Sequence, residues 1–209
     1  MSPPARPSLT PVLTFTGIYM AAAAAAAIAG RNREFIIYIC VMLVLIPSIY
    51  AVHRKHPLTA PLLWAFGIWG LLHMAGGLLP IPQNWPREGS RAVLYNWWLI
   101  PRYLKYDQVT HAYGLGITSW FCWHLLKHSL RSPGGSPVRP TAGILILCVA
   151  AGMGFGAFNE VVEFTATRIL PDTNVGGYVN TGWDLVFNLI GSVIAVLIIR
   201  WGKWSRPNS

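Results

Sequence analysis

The chain has 209 residues, 54% of them hydrophobic and only 11% charged, with sixteen Lys and Arg against seven acids for a net charge of +9. That length holds one compact helical bundle and excludes a bundle joined to a sizeable soluble domain. The basic residues are scattered between apolar runs, which reads as membrane-flanking charge and argues against nucleic-acid binding.

Apolar runs of about 17–25 residues mark spanning helices. Six are predicted, at about 12–29, 35–52, 60–79, 107–126, 142–167 and 183–201, in a single membrane domain over 1–209. The fold class is therefore all-α, an integral membrane bundle. The first span holds seven consecutive alanines, Ala21 to Ala27. Alanine forms helix well but inserts weakly, so this span is expected to depend on close packing. It reads as a retained helix and not as a signal peptide, because Arg6 lies in a proline-rich head and the apolar run continues to Ile28.

The second span lies between Arg31 and Arg33 on one side and Arg54 and Lys55 on the other, and the third ends near His73-Met-Ala-Gly76-Gly77. The segment 80–106 carries Trp85, Tyr95, Trp97, Trp98 and Tyr103 among Pro and Arg, as expected of an interfacial loop or a short helix in the headgroups. The fourth span opens on Asp107-x3-His111, and Ser132–Pro140 is a Pro/Gly/Ser turn. The fifth contains Gly152-x3-Gly156 and then Glu160-x2-Glu163, and the sixth opens on Asp184-x3-Asn188. Cys40, Cys122 and Cys148 lie in apolar segments without CxxC spacing and read as buried free thiols.

The side with both termini carries nine basic residues: Arg6, Arg54, Lys55, Lys127, Arg131, Arg139, Arg200, Lys203 and Arg206. The other side carries seven: Arg31, Arg33, Arg87, Arg91, Arg102, Lys105 and Arg168. This bias predicts a plasma (inner) membrane protein with cytoplasmic termini and an external 80–106 segment.

Four of the seven acids, Asp107, Glu160, Glu163 and Asp184, lie in or at the edge of spanning stretches. A carboxylate at that depth costs roughly 2.5–3.5 kcal/mol on insertion scales, so such groups face one another or a cavity. Consecutive helices alternate direction, so the end of an odd span and the start of the next even span share a side. His73, Asp107, His111, Glu160, Glu163, Asp184 and Asn188 thus fall in one leaflet half. Positions i, i+4, i+7 and i+11 share a helix face. The faces read Asp107, His111, Gly114, Thr118; Gly152, Gly156, Glu160, Glu163, Thr167, with Asn159 beside them; and Asp184, Asn188, Gly191, Ala195. Each couples polar groups near one surface to small residues deeper down, so the three faces are expected to pack together.

Each group also has a plainer reading. Asp184 suits the first turn of a helix, Asn188 an interhelical hydrogen bond, and His73 a packed polar position. His53, His56, His124 and His128 lie beside basic loops and read as interfacial. Arg168, one turn beyond Glu163, is a structural counter-charge in that view. Two carboxylates within one turn nevertheless repel unless a proton, a cation or a basic partner intervenes. The favoured assignment makes His111, Glu160 and Glu163 catalytic and Asp107, His111, Glu160, Glu163 and Asp184 a metal set, with His73, Asn159, Asn188 and Arg168 in support.

Tyr106-Asp107-Gln-Val-Thr-His111-Ala-Tyr-Gly114, Asn159-Glu160-Val-Val-Glu163 and Trp183-Asp184-Leu-Val-Phe-Asn188-Leu-Ile-Gly191 together resemble the VanZ-like and YjdF-like inner-membrane proteins. His73-Met-Ala-Gly-Gly is similar to a His-rich Gly-Gly element of the YjdF-like branch, and the likeness covers about 60–201. Gln108 stands where that branch usually has Arg, the Gly-Gly lacks the usual His-Tyr-aromatic continuation, and Asn188 is nearer the VanZ-like form. The resemblance implies a cell-envelope role, through an association with reduced susceptibility to teicoplanin-type antibiotics, and names no reaction.

Three functions are carried forward. The first is a membrane-embedded hydrolase or transferase on a lipid-like or envelope substrate, using Mg²⁺, Mn²⁺, Zn²⁺ or iron, all of which suit oxygen donors with one imidazole. The second is a proton- or cation-coupled transporter, against which six spans and an off-centre site both count. The third is a non-catalytic assembly subunit, in a homo-oligomer or a larger membrane complex. Membrane lipids are expected around the chain in every case.

Overall fold

A computed structural model describes residues 8–130, 135–136 and 138–202. Of the basic residues counted above, Arg6, Arg131, Lys203 and Arg206 lie outside the described residues, as do the proline-rich head up to residue 7 and part of the 132–140 turn.

Six helices form: α1 (Thr10–Ala29), α2 (Arg33–Lys55), α3 (Ala60–Leu78), α4 (Tyr106–Ser129), α5 (Ala142–Ile169) and α6 (Tyr178–Trp201). Their starts follow ordinary end chemistry. Proline occupies the first turn of α1 and of α3, where its missing N–H costs nothing. Asn32 caps α2 by accepting from the Phe35 N–H at 3.1 Å, and Thr141 stands at the same position of α5, at 3.5 Å from the Ile144 N–H.

Five helices, α1, α2, α3, α5 and α6, are long and apolar enough to cross a membrane. Six spans were expected, and α4 is the one that differs. Its 24 residues reach about 36 Å, enough to cross. Its buried positions, however, include Gln108, Thr110, His111, Ser119 and His124. It can be that polar because it is the inner helix, packed against α3, α5 and most closely α6. The helix that carries Asp107 and His111 is therefore the least hydrophobic.

The segment 80–105 is neither an open loop nor a short α-helix. It makes a 3-10 turn at Leu94–Asn96 and an antiparallel hairpin of β1 (Trp98–Ile100) and β2 (Leu104–Lys105). Isolated bridges join Pro80 to Val93 and Arg87 to Trp97. Arg102, at φ +67°, takes the turn between the strands. The result is a cap over the bundle end where α3 finishes and α4 begins.

The alanine-rich α1 is held as expected. Tyr19, Met20, Ala23 and Ala27 join Phe35, Tyr38, Met42 and Met74 in one buried cluster. At the opposite end, two histidines expected to be interfacial are buried instead. His53 accepts from the Leu58 N–H at 3.1 Å, and His124 bonds the Pro57 carbonyl at 2.9 Å, so the two hold the α2–α3 corner. The three cysteines are free, with Cys148 buried, Cys122 half-buried and Cys40 exposed. Cys40 thus lies on the outside of α2 instead of inside the bundle.

The α4–α6 contact is backbone against backbone. A Cβ at Gly191 would lie 1.8 Å from the Ala112 carbonyl oxygen. Gly114, expected to face the same neighbours, instead seats the Trp69 indole of α3. Gly191→Leu is expected to destabilise the protein by about 1–3 kcal/mol through overpacking. Gly154→Ala, where nothing lies within 4 Å, should change stability by no more than about 1 kcal/mol. Thermal unfolding of both variants in one detergent checks the difference, and equal melting temperatures would refute the close approach.

Candidate functional site

His111 is the centre of the site. It lies on the second turn of α4, buried, with Nδ1 3.1 Å from Asn188 Oδ1 of α6. Nε2 lies 3.6 Å from Asp107 Oδ1, one turn earlier on α4, and 3.9 Å from Asp184 Oδ1 of α6. Two triads that could hold an ion share this imidazole: Asp107–His111–Asp184 and His111–Glu160–Glu163. In each, one ligand atom per residue falls within 4.8 Å of the others. The structure thus brings Asp107, His111, Glu160, Glu163, Asp184 and Asn188 together, with Asn159 donating to Glu163 Oε1 at 2.8 Å.

The polar groups are not all satisfied. Asp184 is fully buried. Its Oδ2 accepts from Asn180 Nδ2 at 2.6 Å, while its Oδ1 accepts no hydrogen bond. Neither oxygen of Glu160 has a partner of acceptable geometry, although Thr181 and Asn159 lie within side-chain reach. The Asn188 Nδ2 group is also buried and unpaired. Unpaired buried acceptors cost about 1–3 kcal/mol each, more when charged. Several unsatisfied groups at one point, beside carboxylates that repel one another, could be relieved by a cation or by protons.

Asp184 does not sit in a first helical turn, because α6 begins at Tyr178. The residues before it place Asn180, which links Asp184 to the Lys105 ammonium. Lys105 in turn pairs with Glu88 at 3.2 Å and lies 5.8 Å above the Trp98 ring. Arg168 takes no part. It is exposed and, among the described residues, forms no ion pair with Glu163. The helix turns its side chain outward although it stands close in sequence.

His73 is beside the acid cluster and not in it. Its ring stacks on Trp69, with centroids 5.4 Å apart, and Nδ1 shares a hydrogen bond with the Tyr95 hydroxyl. Burial, then the charges of Asp107 and Glu163, push the Tyr95 phenol well above its ordinary value of 10.0, so it keeps its proton. Gly76 and Gly77 make room for this arrangement. A Cβ would meet the Tyr95 ring at 2.4 Å from Gly76 and the Phe35 ring at 1.9 Å from Gly77.

A polar chamber of about 260 Å³ lies above the cluster, with Asp107 and Glu163 in its wall. Its roof contains residues that sequence reasoning did not assign. Glu34, at the start of α2, is buried and accepts from Arg91 at 3.2 Å and from the Asn174 N–H at 2.7 Å. Arg91 also pairs with Asp172 at 2.6 Å, and Asn96 and Asn174 exchange amide hydrogen bonds. The cap is thereby tied to the α5–α6 loop across the chamber. Glu34 sits between Arg33 and Phe35, so in sequence it reads as flanking charge, and only its N-terminal helix position hinted at more.

A family profile described as a predicted membrane protein family, DUF2238, matches residues 11–203. The chain belongs to that family. The match supports the expected multi-pass membrane family and carries neither the VanZ-like nor the YjdF-like name. An uncharacterised protein of Thermotoga maritima is 29% identical over 102 residues, covering 48% of this chain and 50% of that protein. The chain therefore aligns with about half the length of this relative. No solved structure matches.

If the acids repel as placed, removing one charge should stabilise the metal-free protein. Glu160→Gln is expected to raise stability by about 0.5–2 kcal/mol in chelator-treated samples, the usual gain on relieving a strained site. Melting curves in detergent test this, and a fall in melting temperature would make Glu160 part of a structural network.

Proposed function

We propose that this DUF2238 protein is a membrane-embedded, metal-assisted hydrolase or transferase acting on a lipid-like or cell-envelope substrate. The observation that carries the reading is the pair of triads sharing His111, together with the buried Oδ1 of Asp184, which accepts no hydrogen bond and lies 3.9 Å from His111 Nε2. Carboxylate oxygens with a single imidazole suit Mg²⁺, Mn²⁺, Zn²⁺ or iron over a soft metal. Asp107, His111 and Asp184 would form one ligand set and His111, Glu160 and Glu163 the other, the shared imidazole serving one at a time. A divalent ion held there would supply Lewis-acid polarisation of a carbonyl or phosphoryl oxygen and a lowered pKa for bound water.

The remaining work falls to side chains. Glu163, oriented by Asn159, takes the proton from the attacking water or alcohol as a new bond forms to the ester carbon or phosphorus. The leaving oxygen departs with a returned proton. His111 is held in orientation by Asn188, as a ligand or proton carrier requires. The cap, with its exposed aromatic Tyr103, suits the headgroup layer. The basic bias favours the inner membrane, cytoplasmic termini and an external site.

Purified protein should contain about one or two equivalents of divalent metal by mass spectrometry, fewer in Glu160→Ala and Asp184→Ala. No metal after chelator-free purification would overturn the metal reading. Glu163→Gln should lower turnover by roughly 10²–10⁴-fold, the range for a general base, while inserting normally. For topology, Tyr103→Cys in a background without Cys40, Cys122 and Cys148 should label from outside, and labelling from the cytoplasm alone would invert the orientation.

A further inference from the structure

The polar chamber does not end at the acid cluster. A second cavity, of about 170 Å³, continues from it between α2 and α5, and the two share Tyr38, His73 and Tyr95 in their walls. Below this aromatic collar the lining is almost wholly apolar, with Met42, Ile49, Phe66, Phe121, Phe158 and Val162. His111, Thr110 and Thr118 of α4 and Asn159 of α5 are the polar exceptions. At the collar the gap is closed, since Ala166 of α5 shares a buried cluster with Phe35 and Tyr38 of α2. Farther along, α2 and α5 have no substantial packing between them, and Phe155 and Phe158 stand more than half exposed. The groove therefore opens sideways, where the bilayer would be.

Its length fits a defined occupant. From Tyr38 to Ile49 the groove follows twelve residues of α2, eleven steps of rise, and from Thr110 to Phe121 the same number of α4. At 1.5 Å per residue this is about 16 Å. One leaflet of the hydrocarbon core is about 15 Å, half of the 30 Å total. The polar end of the same path holds Arg91 and Lys105 beside the metal-suited acids. Cations with a divalent ion are the usual means of holding a phosphate.

We propose, resting on the enzymatic reading above, that the substrate is a phosphate-bearing lipid of the leaflet on the site's side, its chain in the α2–α5 groove and its phosphate in the chamber. The collar of Tyr38, His73 and Tyr95 marks the boundary between chain and headgroup. His111 faces that boundary from the groove side and Asp107 and Glu163 from the chamber side, so the reacting bond lies close to where the chain joins the phosphate.

The test is native mass spectrometry on the full-length protein, equilibrated separately with phosphatidylglycerol and with diacylglycerol of the same chains. Retained phosphatidylglycerol should exceed diacylglycerol by at least about tenfold, the worth of one charge-assisted bond. Thr118→Trp, which fills the groove, should cut retention at least about fivefold. Ile146→Trp, on an exposed face of α5, should leave it unchanged and serves as the folding control. Equal retention of the two lipids, or Thr118→Trp retaining as much as wild type, overturns the proposal. Metal content of the same samples separates the two readings. Metal without groove-dependent phosphatidylglycerol sinks the lipid assignment alone, and groove-dependent lipid without metal sinks the metal assignment alone.

Discussion

Buried negative charge is the constraint from which the rest of this structure follows. All seven acids of the chain gather at one end of the bundle. Glu34, Glu88, Asp107, Glu163 and Asp172 line the chamber, and Glu160 and Asp184 adjoin it through His111. Sparse acids concentrated at one place in an apolar protein cannot be left to lipid, where every unpaired charge costs several kcal/mol. Asp172 and Glu88 stay open to the surface, while the other five must be enclosed by helices and roofed from the bulk. Enclosure comes from α4 at the centre and the roof from the 80–105 cap, while Arg91, Lys105 and Asn174 partner the acids of the roof and Asn180 holds Asp184.

Enclosure sets how closely the helices approach. Short side chains such as Asp184 and Asn188 reach across to His111 only if α6 nearly touches α4, and Gly191 against the Ala112 carbonyl supplies that contact. Gly156 of α5 does the same for Asn188, since a Cβ there would lie 2.6 Å from its amide nitrogen. Small residues deep in the membrane and polar residues near its surface are therefore two halves of one requirement. The close approach lower down brings the polar side chains together higher up.

The helices were legible because apolar runs of spanning length survive in the sequence, and the site was legible because i, i+4 spacing and alternating helix direction leave little freedom. Asp107 and His111 had to share a face, and α5 and α6 had to bring Glu160, Glu163, Asp184 and Asn188 to the same side. What escaped was whatever depends on long-range partners. The start of α6 at Tyr178 was hidden because Asn180 and Gly182 read as loop, though Asn180 is there to hold Asp184. The cap hairpin shows no alternation of polar and apolar residues, so nothing periodic announced it. Glu34 meets Arg91 57 positions away, a pairing that no local pattern records. Arg168 failed in the opposite sense. Nearness in sequence suggested a partner for Glu163, and helix geometry pointed it elsewhere.

Two cavities of opposite character meeting at one aromatic layer are hard to explain by stability alone. A bundle built only to fold would let α2 and α5 close, since burying aliphatic and aromatic side chains gains about 25 cal/mol per Å² in water and improves packing in lipid. A purely structural acid network would bring full hydrogen bonds to Asp184 Oδ1, which has only the 3.9 Å contact to His111 Nε2, and to Glu160, which has Thr181 and Asn159 in reach but not in hydrogen-bond geometry. Here both economies are forgone at adjacent points. The unclosed groove and the unsatisfied acids meet at Tyr38, His73 and Tyr95, and a single amphipathic ligand would satisfy both at once.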